Sequence, residues 1–249
     1  MRYLLLNLKN YTEVLGSRLD QFLSVVERTS IKNAKDVEIS VALPAFYLAY
    51  AHSKYPRARC FAQHLDNEVP GSTTGFLVPE IARQSGAVGT LVNHSEHRLD
   101  IGEIASLTRR LHELGIISVV CAKDPAEVAS FAKFSPDFIA IEPPELIGTG
   151  NAVSKSRPEV ISESYWSLVR AKRRGSRTRL LCGAGIVNGT DAKSAIELGA
   201  SGILVASGVV KSRNWSVAVQ DLVRGLSDAK RTKSDLQWRS ESVSVKSRK

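Results

Sequence analysis

The chain has 249 residues, 43% of them hydrophobic and 24% charged, a globular composition with apolar material for one large core or two small ones. It carries a formal charge of +9, and from Gly225 onward seven basic residues stand against three acidic ones, so the surplus is concentrated at the end of the chain. No apolar run approaches the ~20 residues that span a bilayer, and the opening RYLLLNLKNY has too short an apolar run, and no small-residue cleavage site after it, for a signal peptide.

That opening predicts a first strand, Tyr3–Leu8. Seven more short apolar runs follow in order: Val37–Leu43, Arg59–Gln63, Thr90–Asn93, Ser118–Ala122, Phe138–Ile141, Arg179–Cys182 and Ile203–Ala206. They are rich in Val, Ile and Leu, as strands buried on both faces are. Segments of helical period lie between them. IGEIASLTRRLHELG sets Ile101, Ile104, Leu107, Leu111 and Leu114 on one face and stops at Gly115. GTDAKSAIELGA opens with a threonine or aspartate able to cap it, and WSVAVQDLVRGL has the same apolar period.

Eight strand–helix alternations in roughly 225 residues predict a closed parallel (β/α)8 barrel. An open doubly wound sheet is the rival, but NLKNY after the first strand has no glycine fingerprint. The expected organisation is one barrel domain over residues 1–226 and a basic tail over 227–249. The tail lacks aromatic interleaving and any binding motif, so a solvated, disordered segment is expected rather than a nucleic-acid or membrane contact. Cys60, Cys121 and Cys182 are odd in number, far apart and each inside an apolar run. They predict buried free thiols and a cytoplasmic location, not a disulfide framework or a metal site.

In such a barrel, reactive side chains gather where the strands end. Asn7 and Lys9 end the first strand, Gln63 and His64 the third, His94, Ser95 and Glu96 the fourth, and Glu142 the sixth. The small-residue turns CGAG and VASG follow the seventh and eighth and suit a backbone phosphate cradle. Each feature alone has a plainer reading as a solvated turn residue, a structural histidine or a tight turn. Those readings must hold independently at five strand ends, whereas one site explains all five. A carboxylate, a neutral imidazole and an ammonium beside a phosphate site suit proton removal next to a carbonyl. Glu142 is then the base, His94 polarises the carbonyl oxygens and Lys9 stabilises the developing charge. No metal-ligand cluster or nucleotide motif is present, so neither metal nor cofactor is expected.

NLK at 7–9, NHSEHR at 93–98, IEPPELIGTG at 141–150, CGAG at 182–185 and ASGVVK at 206–211, in that order, resemble the triosephosphate isomerase family. The closest likeness is to its short archaeal-type branch, over about residues 2–226. The resemblance implies interconversion of dihydroxyacetone phosphate and D-glyceraldehyde 3-phosphate through an enediol(ate), in glycolysis and gluconeogenesis. It assigns Glu142 as base, His94 as electrophile, Asn7 and Lys9 as substrate contacts, and Glu96 as a supporting partner of the lysine. Ile147 and Gly148 match the tip of a mobile lid, with Pro143 and Pro144 stiffening its first hinge. Gly185, Ala206 and Ser207 match the phosphate site.

A division of acid–base labour that keeps the histidine neutral is a known property of this family. His94, followed by SEHR, is expected at a helix N-terminus, whose dipole disfavours imidazolium. PGSTTG at 70–75 resembles a loop that reaches into a neighbouring subunit, implying a homo-oligomer. The short-branch likeness favours a tetramer over a dimer, with the fourth helix supplying the extra interface. His97 stands where the family usually has arginine. His52, His64 and His112 match no motif, and His112 is expected at the surface of its helix. Two alternatives remain: another phosphate-binding barrel enzyme, and a non-enzymatic phosphate-ligand-binding barrel with a basic interaction tail.

Overall fold

Side chains along a strand point alternately to its two faces, so a closed sheet sorts them into an inside and an outside set. The computed structural model describes residues 1–144 and 157–230. Its strands are β1 (Arg2–Asn7), β2 (Val37–Leu43), β3 (Arg59–Ala62), β4 (Gly89–Val92), β5 (Ile117–Ala122), β6 (Phe138–Ile141), β7 (Arg179–Cys182) and β8 (Gly202–Val205). They pair in parallel in chain order and close where β1 meets β8, with Tyr3 opposite Gly202 and Leu6 opposite Val205. The sequence-predicted (β/α)8 barrel is the observed fold.

The helices among the described residues are α1 (Ser17–Asn33), α2 (Leu48–Lys54), α3 (Pro79–Gln84), α4 (Ile101–Glu113), α5 (Pro125–Ala132), α6 (Pro158–Ala171), α7 (Gly189–Glu197), α8 (Ser207–Val210) and α9 (Trp215–Asp228). The outer core lies between them and the strands, where Leu4, Leu6, Phe22, Leu23 and Leu222 are almost fully covered. Each such side chain contributes about 1.5–3 kcal/mol by leaving water. The inner core is a separate cluster that includes Leu5, Phe61, Leu91, Val119, Ala140 and Leu204. Tyr3 and Phe138 meet edge to face at 4.8 Å, with the Arg179 guanidinium 5.0 Å from the Tyr3 ring, and close the barrel at the starts of its strands.

Four strands begin one residue earlier than their apolar patterns, and two of them, β4 and β8, begin on a glycine. A Cβ on Gly89 would overlap the Phe61 ring, and one on Gly202 would overlap the Tyr3 carbonyl. Crowding inside the barrel, not turn formation, requires glycine there. In α4, Ile104, Leu107 and Leu111 face the core as expected, but Ile101 is 58% exposed. It stands in the first turn, beyond the reach of the strands. The start of α7 is capped by Asn188 rather than by Thr190 or Asp191. The Asn188 side chain accepts the Asp191 amide, and Asp191 returns a bond to the Asn188 amide, a reciprocal capping box. The final helix runs to Asp228, and the residues from 231 onward, where most of the predicted tail falls, lie outside the described residues.

Helices α7 and α9 touch backbone to backbone. A Cβ on Gly225 would overlap the Gly189 carbonyl, while the Gly189 amide donates to Asp221 Oδ2 at 2.7 Å. Helix propensity alone would make Gly225→Ala stabilising by about 1 kcal/mol. The contact reverses that sign: Gly225→Ala is expected to destabilise by about 1–3 kcal/mol in urea unfolding. Gly102→Ala, at a helical site with nothing within 4 Å of the new Cβ, serves as the control and should be neutral or stabilising.

Candidate active site

The inside set of the barrel does not stop at the last hydrogen-bonded residue. Two residues beyond Leu5 is Asn7, beyond Ala140 is Glu142, beyond Leu181 is Gly183 and beyond Leu204 is Ala206. Period-two alternation therefore carries one more layer into the mouth, and all four of these positions line a cavity of about 320 Å³. Lys9, His94, Gly185 and Ser207 line it too, so the described residues predicted for the site meet in one place. Glu96 lines an adjoining cavity that shares Asn7, Lys9 and His94. Ile147 and Gly148 lie outside the described residues.

Lys9 has φ +46°, a left-handed conformation uncommon for a residue with a side chain. Three contacts hold it. Its amide donates to Asn7 Oδ1 at 2.9 Å, its carbonyl accepts Gln63 Nε2 at 2.8 Å, and its Nζ lies 2.7 Å from Glu96 Oε1. Asn93 is likewise left-handed, at φ +59°. Its side chain donates to the Cys121 carbonyl at 2.9 Å and accepts the Leu99 amide at 3.0 Å, fixing the turn that presents His94.

His94 Nδ1 accepts the Glu96 amide at 3.2 Å, which leaves the ring proton on Nε2. That nitrogen lies 3.6 Å from Glu142 Oε1, near but beyond hydrogen-bonding distance. Burial, reinforced by the Lys9 charge, pushes the imidazole down to about 4, so the ring is neutral at pH 7. The expected helix N-terminus is absent: His94 sits in a turn closed by His97 N–H to its own carbonyl, and α4 begins only at Ile101. Desolvation supplies what the helix dipole was expected to supply.

Glu142 is 3% exposed, and its Oε2 has no hydrogen-bond partner among the described residues. Burial pushes its carboxyl up to about 7, opposed by Lys9, the Cys121 thiol, Arg98 and the Ser95 amide. Gly183 makes its room, since a Cβ there would stand 2.6 Å from Glu142 Cγ. Gly185 has φ +68°, and a Cβ on Gly208 would press on the Ile186 carbonyl at 2.8 Å, so the turns after β7 and β8 approach closely. Ser207 and Gly208 open α8, whose first amides have no acceptor inside the helix. Lys211 Nζ, 4.8 Å from the Tyr11 ring, adds a second cation to the wall.

Sequence reasoning passed over several of these contributors. Cys121 was read only as a buried thiol, and all three cysteines are buried and free. Its position on the inside set of β5, two residues after Val119, is the signal that would have aimed it at the mouth. Ser95 lines the cavity with a buried Oγ that has no partner among the described residues. Gln63 stands one residue past the end of β3, and its grip on Lys9 needed the fold. His64 and His97, far apart in sequence, stack at 3.8 Å beside the adjoining cavity. His112 is exposed.

The described residues contain no group of three or more His, Cys, Asp and Glu placed to hold a metal, and no helix long and apolar enough to cross a membrane. The family model described as triosephosphate isomerase matches residues 2–224. A triosephosphate isomerase of Cenarchaeum symbiosum is 46% identical over 224 residues, covering 90% of this chain and 97% of that one. Those of Methanosarcina barkeri and Methanocaldococcus jannaschii are each 37% identical over 222 residues, covering 89% of this chain and 97% and 98% of theirs. With likeness running through the whole barrel and its mouth, this chain belongs to the triosephosphate isomerase family.

Proposed function

We propose that the protein interconverts dihydroxyacetone phosphate and D-glyceraldehyde 3-phosphate, with Glu142 as the proton carrier. The observation that carries this reading is a buried carboxylate, one oxygen of which has no hydrogen-bond partner among the described residues, facing a neutral imidazole and a lysine across one small cavity. Glu142 takes a proton from the carbon beside the substrate carbonyl and returns it to the neighbouring carbon. His94 Nε2–H donates to the two oxygens in turn, and the Lys9 ammonium stabilises the enediolate charge. Asn7 orients the substrate, Glu96 positions Lys9, and Gly185, Ala206 and Ser207 hold the phosphate. The lid assigned to Ile147 and Gly148 closes over this group and excludes water. The barrel of residues 1–226 carries the activity, and the three buried thiols support a reducing, cytoplasmic location.

Phe46 is 96% exposed beside the adjoining cavity, with Val69 61% and Phe76 49% exposed near the 70–75 loop. An apolar patch of this kind supports a homo-oligomer with a second copy seated there. Ile101, exposed at the start of α4, supports a second contact, and hence a tetramer over a dimer.

Glu142→Gln is expected to lower kcat by at least ~100-fold in a coupled assay with glyceraldehyde 3-phosphate. Deleting residues 231–249 should leave turnover intact; the reverse pattern would favour a binding protein acting through its tail. Because a base works only when deprotonated, kcat/KM should rise with pH through about 7 and then level. His94, at about 4, contributes no limb near neutrality, and a flat profile there would remove Glu142 as the base. Light scattering of Phe46→Asp should show a smaller assembly than wild type, and a monomeric wild type would discard the oligomer.

A further inference from the structure

A second depression lies outside the barrel mouth, between α1 and the start of α9, with a volume of about 520 Å³. It shares no lining residue with the catalytic cavity. Arg18, Arg28 and Arg213 line it together with Ser24 and Ser216, and none of its lining residues is acidic. We propose that this groove binds a short phosphate chain of three or more phosphates, inorganic or nucleotide-borne.

The charge there is uncompensated. Among the described residues Arg28 and Arg213 form no ion pair, and Arg18 lies over the Trp215 ring, 5.3 Å from its centroid. The acids nearest in sequence are occupied elsewhere. Asp20 pairs with Lys54 at 2.9 Å and accepts the Tyr50 hydroxyl, and Glu27 accepts the Arg57 amide at 3.1 Å. Three guanidiniums around one depression repel each other, and a polyanion relieves that repulsion while meeting their forked donors.

The wall behind them is stiff. Trp215 Nε1 donates to the Val210 carbonyl at 3.0 Å, and Phe22 meets the ring edge-on at 5.3 Å. The start of α9 is already capped, with Asn214 Oδ1 accepting the Val217 amide at 3.1 Å, so the guanidiniums and not the helix dipole define the site. Arg18 and Arg28 sit on one helix, about 15 Å apart along its axis at ~1.5 Å per residue. A chain of phosphates spans that separation and meets a side chain at each end. Trp215 carries Arg18 on its face, which disfavours a single-stranded nucleic acid that would need that ring for base stacking.

The test is calorimetric titration of the full chain with tripolyphosphate and, separately, adenosine triphosphate, at low salt. Equilibrated triose phosphates are kept in excess to fill the catalytic cavity. Saturable binding at one site per chain is expected, weakened at least ~10-fold in the double variant Arg28→Gln/Arg213→Gln. Both side chains are exposed, so the variant should keep its unfolding temperature and its kcat/KM. Equal affinity for the two probes assigns recognition to the phosphate chain alone, and tighter adenosine triphosphate adds the nucleoside. The proposal is overturned by absence of saturable binding, by unchanged affinity in the double variant, or by orthophosphate binding as tightly as tripolyphosphate. Loss of binding on deleting residues 231–249 would also overturn it by moving the anion to the tail.

Discussion

Closure of an eight-stranded parallel sheet, with side chains forced alternately in and out, is the constraint on which the rest of this molecule depends. It creates an inner core too narrow for uniform large residues, which is why glycine stands at 89 and 202 against Phe61 and Tyr3. The same alternation, continued past the last ladder bond, brings Asn7, Glu142, Gly183 and Ala206 to one rim. A one-residue slip in any of these strands would turn its contribution outward, into the helical layer.

Placing a carboxylate on that rim is expensive, and the expense is chemically useful. Raising Glu142 from its ordinary value of 4.5 to about 7 corresponds to about 3 kcal/mol of disfavoured ionisation. Lys9, the Cys121 thiol and the Ser95 amide limit that shift without cancelling it. Desolvation acts on His94 in the opposite sense on the pKa scale, holding the imidazole neutral. One physical cause, removal from water, thus produces a stronger base and an uncharged hydrogen-bond donor side by side.

Strain is concentrated at the same rim. Lys9 and Asn93 both occupy left-handed backbone, at a cost of order 1–3 kcal/mol each. Gln63 grips the Lys9 carbonyl, while Asn93 bonds the Cys121 carbonyl and the Leu99 amide. The strands therefore hold one another's functional residues, with the residue after β3 reaching across the mouth to the end of β1, and β5 supporting the end of the adjacent β4. The arginine groove is different in kind, because its three cations come from α1 and the turn before α9, and Arg28 and Arg213 form no ion pair among the described residues.

Apolar period alone located all eight strands to within a residue or so, because strands buried on both faces are uninterrupted runs of Val, Ile and Leu bounded by polar turns. The polar residues at those strand ends, Asn7, Lys9, His94 and Glu142, were legible for the same reason: each breaks an apolar run at its C-terminal side. Local sequence misjudged what depends on distant partners. The start of α4 falls after His94's turn, so burial and not a helix dipole neutralises the ring, and Asn188 rather than the residues after it caps α7. Cys121 carries no local mark of function, and Gln63 and Gly183 are marked only as a strand end and a turn, since each acts through a side chain or a space belonging to another strand. The sequence by itself determined which residues end strands and in what order. Only barrel closure decided which of them face one another, because those distances are set by pairing between strands far apart in the chain.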